Sequence, residues 1–113
     1  MKIYIVCTVR NATEEYRKKL EEHTKLLEDA GNEVYLPHRD TKQDDTGIKI
    51  CNSNVDAICR ADIIHVFYNR ESQGTHFDLG AAFALKKEII IVENEPYNEG
   101  KSFSRMLVEW ENL

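Results

Sequence analysis

Two short segments carry residue types and spacings that could do chemistry. The first is Cys7-Thr8-Val9-Arg10-Asn11, which follows an apolar run and opens a helical pattern. Backbone N–H groups at a helix start, a hydroxyl and a guanidinium on one short loop suit an anion such as phosphate. The segment matches neither GxxxxGK[ST] nor GxGxxG. It is not the Cys-x5-Arg loop of a phosphatase either, since residue 13 is Thr. A capped helix with an exposed Arg10 would explain the same residues.

The second segment is Ser72-Gln73-Gly74-Thr75-His76-Phe77-Asp78-Leu79-Gly80. Gly74 permits a tight turn into a helix. Thr75 and Asp78 have the spacing of a capping box, in which each side chain satisfies the other's backbone N–H. The other reading puts Asp78 one turn into a helix at a ligand edge, kept ionised by the helix N-terminus. There a carboxylate can stabilise, or bond covalently to, an anomeric carbon carrying oxocarbenium-like charge. His76 is either a solvent-facing first-turn residue or a contact to a sugar or base. His38 and Arg39 either touch a ligand or belong to an ordinary polar loop. His65 alternates with Ile64 and Val66 and reads as a packed imidazole.

The elements that must position these residues follow from hydrophobic periodicity. Lys2–Cys7, Glu33–Leu36, Asp62–Tyr68 and Glu88–Glu93 are β-branched runs and are expected as strands. A helix capped by Asn11 or Thr13 reaches Ala30 and stops at Gly31, with Tyr16, Leu20, Thr24 and Leu27 on its buried stripe. Ile48, Cys51, Val55, Ile58 and Cys59 repeat with helical spacing after a polar loop from Thr41 to Gly47. Thr75–Lys86 is expected as a third helix. After a loop from Asn94 to Lys101, Phe103, Met106, Leu107 and Trp110 line a last one. Strands alternating with helices imply parallel strands and right-handed crossovers. The expected fold is α/β, a small doubly wound parallel sheet of four strands in the order 2-1-3-4 with helices on both faces. Such a sheet binds ligands beyond the carboxyl ends of its strands, where both chemical segments fall.

Composition bounds what the ligand can be. The chain has 113 residues and a formal net charge of −5, which argues for one domain over residues 1–113. The acidic balance disfavours a nucleic-acid polymer, whose binding needs a basic face. Its longest aliphatic run, Ile89–Val92, is far short of a membrane span, and no signal peptide is expected. Cys7, Cys51 and Cys59 form no CxxC pair and read as free thiols in a cytoplasmic protein. Neither the cysteines nor the four histidines have metal-ligand spacing, so no metal and no cofactor are expected.

Together the segments resemble the nucleoside 2-deoxyribosyltransferase superfamily. The branch they are most similar to is that of the small 2′-deoxynucleoside 5′-phosphate N-hydrolases. The resemblance rests on Thr8-Val9-Arg10 after the opening strand, Ala61-Asp62-Ile63-Ile64, Ser72-x-Gly74-x3-Asp78-Leu79-Gly80, and Ala82-Phe83-Ala84-Leu85-Lys86-Lys87 running into a β-branched strand. It implies a Rossmann-like fold and cleavage of an N-glycosidic bond, with Asp78 as the nucleophile at C1′. It also implies phosphate contacts from Thr8, Arg10 and Ser72, a serine from a neighbouring subunit matched by Ser104, and a homodimer whose sites are completed across the interface. Where the family nucleophile is normally Glu, Asp78 is one methylene shorter. The family's second acid, used as acid/base or sugar orienter, is Asn54 here. An amide can hold a sugar hydroxyl but cannot move a proton. Asn54 and His76 are then expected to orient sugar or base. A hydrolase of nucleoside monophosphates, a base-exchange transferase and a nucleotide-binding module without turnover all remain open from the sequence.

Overall fold

The computed structural model describes residues 1–97 and 100–113. Four parallel strands, β1 (Lys2–Val6), β2 (Glu33–Tyr35), β3 (Ile63–Phe67) and β4 (Ile89–Glu93), form one sheet in the order β2-β1-β3-β4. The helices are α1 (Glu14–Asp29), α2 (Pro37–Asp40), α3 (Gly47–Arg60), α4 (Gln73–Ala84) and α5 (Phe103–Glu111). This is the expected fold class and strand order. The expected loop Asn94–Lys101 is unstructured where described, and residues 98 and 99 lie outside the described residues.

Alternation along β1 divides the core. Ile3, Ile5 and Cys7 pack with Leu20 of α1, Val34, Ile63 and Phe67 on one face. Tyr4 and Val6 pack on the other with Ala57 and Ile58 of α3, Leu79 and Ala82 of α4, and Leu107 and Trp110 of α5. A central parallel strand covered on both faces needs apolar residues at every position, which is why its sequence reads as a continuous run. Trp110 Nε1 donates to the Lys87 carbonyl at 3.0 Å, so the indole satisfies its polar atom while its ring fills the core.

Several boundaries differ from the sequence expectation, each for a local reason. Thr13, not Asn11, caps α1, accepting from the Tyr16 N–H at 3.1 Å. Asn11 instead takes a left-handed backbone, φ 60°, which its short polar side chain tolerates. Pro37 does not merely end β2. It starts the short helix α2, because at the first helical position the missing N–H costs nothing. α4 begins at Gln73 and ends at Ala84, since Ser72 caps it and Lys86 turns left-handed at φ 57°.

Candidate functional site

β1 and β3 deliver their loops to the same edge of the sheet. Thr8, one residue past Cys7, accepts a 3.1 Å hydrogen bond on Oγ1 from Asn69 Nδ2, in the loop after β3. The Thr8 N–H donates to the Tyr16 hydroxyl at 3.2 Å. Thr8 is thus fixed from both sides, and its own hydroxyl proton remains to be given. Arg10 is exposed two residues further on and makes no ion pair among the described residues.

At the start of α4, Ser72 Oγ accepts from the Thr75 N–H at 3.1 Å. Ser72 is therefore the cap, and the Thr75–Asp78 capping box is not formed. The signal was in the sequence one turn earlier, since Ser is among the strongest N-cap residues. Thr75 is fully buried and its hydroxyl has no hydrogen-bond partner.

Released from the cap, Asp78 turns into the molecule. It is 5% exposed, and its Oδ2 accepts a 2.7 Å hydrogen bond from the hydroxyl of Tyr4, wholly buried on β1. The Asn54 side chain, reaching from α3, lies beside the same carboxyl and favours its ionised form. Burial raises the Asp78 carboxyl from its ordinary 3.8 to about 6, while the Tyr4 hydrogen bond and the Asn54 side chain pull the other way. The carboxyl thus lies above its ordinary value, where the helix terminus alone would hold it below, because desolvation outweighs the polar neighbours. The Tyr4 phenol is pushed well above its usual range by burial and by the neighbouring Asp78 charge. It stays a proton donor at all ordinary pH.

Asn54 is held in turn. Its Oδ1 accepts from Thr41 Oγ1 at 2.7 Å, and Thr41 Oγ1 lies 2.6 Å from the Tyr35 hydroxyl. Tyr35 and Tyr4 are register neighbours on β2 and β1, with rings stacked at 5.5 Å and 11°. Tyr4, Tyr35 and Thr41 were not singled out by sequence reasoning. Tyr4 had a legible signal: a lone hydroxyl in a buried aliphatic strand must find a polar partner.

His76 sits apart from this cluster. Its Nδ1 lies 2.7 Å from the Ser72 carbonyl oxygen and its Nε2 lies 2.9 Å from the Tyr68 hydroxyl. A neutral ring therefore donates through Nδ1 and accepts from Tyr68. Both nitrogens are engaged within the chain, so His76 offers a ligand only its ring. Tyr68 stacks on Phe103 at 5.6 Å, and His76 meets Phe103 edge-on at 4.7 Å. These aromatics adjoin a cleft of about 540 Å³ lined by Tyr68, Arg70, Tyr97, Lys101, Phe103 and Ser104, among others. Ser104 is 8% exposed in the first turn of α5 and its backbone oxygen accepts from Asn94 Nδ2. Gly74 lies exposed in the first turn of α4.

His38 and Arg39 are spent on the fold. Arg39 donates to the Val34 carbonyl at 2.9 Å, to Asp40 at 2.8 Å and to Glu28 at 3.2 Å, and His38 reaches Glu21 at 3.3 Å. They fasten α2 to β2 and α1 and do not join the cluster around Asp78. His65 is buried, as its alternation implied, with its Nδ1 3.0 Å from His23 Nε2 on the α1 face of the sheet. Among the described residues no group of three or more His, Cys, Asp or Glu is placed to hold a metal ion, and no helix is long and apolar enough to cross a membrane.

Fold and site together define a class: a doubly wound parallel α/β protein with a buried, hydrogen-bonded carboxyl on the helix that follows β3. Within that class, the chain belongs to the nucleoside 2-deoxyribosyltransferase family, whose sequence profile matches residues 3–108. No curated protein matches it. Among solved structures it is similar to the CMP N-glycosidase BcmB of Clostridium botulinum, at 25% identity and a TM-score of 0.71 over 99% of this chain and 84% of that one. It shares its fold with a 2-deoxyribosyltransferase from Bacillus psychrosaccharolyticus, at 22% identity and a TM-score of 0.73 over 97% and 82% of the two chains. The same holds for a 2-deoxyribosyltransferase from Leishmania mexicana, at 20% identity and a TM-score of 0.65 over 94% and 84%.

Proposed function

We propose that the chain is an N-glycosidase that hydrolyses the N-glycosidic bond of a nucleoside or deoxynucleoside 5′-monophosphate through Asp78. The observation that carries this reading is the placement of Asp78, a buried carboxyl held by the Tyr4 hydroxyl at 2.7 Å with the Asn54 side chain beside it. The Tyr4 hydroxyl fixes one oxygen of the carboxyl and leaves lone pairs for an electrophile. In the first step an Asp78 oxygen bonds to C1′, the C1′–N bond breaks, and its electron pair leaves with the base, which takes a proton from solvent. Water then attacks C1′, the Asp78–C1′ bond breaks, and the water's second proton returns to solvent.

Thr8, Arg10 and Ser72 hold the 5′-phosphate in this reading, with Gly74 allowing the α4 backbone to approach it. Asn54 and the ring of His76 orient sugar and base. Likeness to a CMP N-glycosidase at 25% identity supports a phosphorylated substrate. The active form is a cytoplasmic homodimer, with Ser104 reaching the partner's phosphate. Its support is the exposure of large apolar side chains on the neighbouring helices α4 and α3, namely Phe77 (49%), Phe83 (56%) and Ile48 (70%).

Two other readings have specific support. The deoxyribosyltransferase folds favour base exchange. Asn54 in place of an acid favours nucleotide binding without turnover. Incubation with a panel of nucleoside monophosphates and the matching nucleosides, with free base read by chromatography, separates them. The hydrolase releases base from monophosphates without an acceptor base, and Asp78→Ala lowers the rate about a thousandfold or more. Release only when an acceptor base is added, unaffected by Arg10→Ala, selects the transferase. Thermal stabilisation by nucleotide with no base released selects the binding module.

A further inference from the structure

The hydrogen bonds around Asn54 have a direction, and it follows from counting protons. Asn54 Oδ1 is a carbonyl oxygen and can only accept, so Thr41 gives it the single proton of its hydroxyl at 2.7 Å. That leaves Thr41 Oγ1 as an acceptor toward Tyr35, 2.6 Å away, so the phenol must be the donor there. With Oδ1 occupied by Thr41, the amide nitrogen is the end of Asn54 left for the neighbouring Asp78 carboxyl, whose ionised form Asn54 favours. The opposite orientation would set the amide oxygen against a carboxylate, which is tolerable only when Asp78 is protonated. The orientation of one amide and the charge of one carboxyl are thus coupled.

Both donors of this chain are held firmly. Thr41 is 5% exposed, and its N–H donates to the Pro37 carbonyl at 3.0 Å. Gln43 Nε2 bridges the Pro37 and Thr41 carbonyls at 2.9 and 3.1 Å. Tyr35 is fixed by its stack on Tyr4. We propose that Tyr35 and Thr41 are positioning residues, which lock the Asn54 amide with its N–H toward Asp78 and so keep that carboxyl ionised. In this chain a neutral amide, held by the Thr41 hydroxyl and through it by Tyr35, stands where a second carboxylate would repel the first. The proposal rests on the reading of Asp78 as the nucleophile only for its consequence in catalysis, not for the lock itself.

The titratable groups that bear on Asp78 are neutral neighbours. From β1 come the Tyr4 phenol and the Cys7 thiol, the latter pushed up to about 12 by burial and then by the Asp78 charge. From β2 the Tyr35 phenol acts through Thr41 and Asn54 alone. No cation acts on Asp78 among the described residues, so the amide and the Tyr4 hydroxyl are its supports.

The test is a titration of the Asp78 side-chain carboxyl by 13C NMR, which needs no turnover, alongside the pH profile of kcat/KM. Thr41→Val keeps the shape and removes the donor. It should move the Asp78 midpoint and the acid limb upward together by about one pH unit, a roughly tenfold loss of kcat/KM at pH 5 that largely vanishes at pH 8. Thr41→Ser should restore both. Tyr35→Phe, which leaves Thr41 in place should Thr41→Val not fold, should shift the midpoint in the same direction by less. An Asp78 midpoint unmoved in Thr41→Val and Tyr35→Phe, or a loss equal at every pH and not restored by serine, would overturn the proposal. A shifted midpoint in a protein that releases no base would uphold the lock and reject the hydrolase reading.

Discussion

A single carboxyl sets much of the chemistry at the residue scale. Asp78 could have been a helix cap. It is instead the buried partner of Tyr4, and the difference decides its charge near neutrality. If Asp78 is the nucleophile as proposed, its ionised form is the one that attacks, so kcat/KM should rise with pH and level off above about 6. The same shift appears in stability. The folded protein holds the Asp78 proton to about 6, the unfolded chain releases it near 3.8, so the folded state binds more protons between them. Stability from this site is complete below the unfolded value and falls as pH rises through the folded one, by about 3 kcal/mol in all. Asp78→Asn, which keeps the shape without the ionisation, should therefore gain on the wild type between about pH 4 and pH 7 in urea unfolding. Parallel stability curves for the two proteins over that range would contradict the assignment. Little of this was visible in the sequence, because T-x-x-D spacing fits a cap as well as a site. What separates the two is whether an earlier residue takes the cap, and Ser72 does.

Among the elements, legibility follows the strength of the pattern. The central strands β1 and β3, apolar at nearly every position, were readable to within a residue or two, and so was the stripe of α1 through Leu20 and Thr24. The segment after β2 was not. Pro37 carries the same meaning as a strand end and as the first residue of a helix, and only tertiary contacts choose. α2 matters because its C-cap is Thr41, the residue that orients Asn54. A site residue reached through an unforeseen helix has no local sequence signature. Caps give a clean test of separation between structure and site. Thr13→Ala removes the α1 cap and should cost about 1 kcal/mol of stability with base release unchanged at saturating substrate. Ser72→Ala should cost a similar amount and also weaken a monophosphate substrate, not the nucleoside, by about tenfold in KM. Equal effects of Ser72→Ala on both substrates would remove Ser72 from the phosphate site.

For the whole molecule, shortness and acidity acquire specific meanings. In the proposed homodimer, a four-stranded sheet of 113 residues would share its ligand edge with a second copy. If Ser104 serves the partner's site, protomers carrying Asp78→Ala and Ser104→Ala are each impaired, yet a mixed dimer carries one site with both residues intact. Co-refolded equal mixtures should recover about a quarter of wild-type activity, since half the dimers are mixed and each has one sound site. No recovery would place Ser104 in its own subunit's structure alone. The net charge of −5 disfavours a nucleic-acid polymer, while the exposed guanidinium of Arg10 beside Thr8 leaves room for one phosphate.

The central claim is that Asp78 reaches the anomeric carbon despite being one methylene shorter than a glutamate. A crystal structure with a C-nucleoside 5′-monophosphate, which cannot lose its base, measures this directly. Attack by Asp78 requires a carboxylate oxygen about 3–3.5 Å from C1′, on the face opposite the base, with Tyr4 still bonded to the carboxyl and Asn54 beside it. A nucleotide bound with its C1′ beyond reach of Asp78 would contradict it.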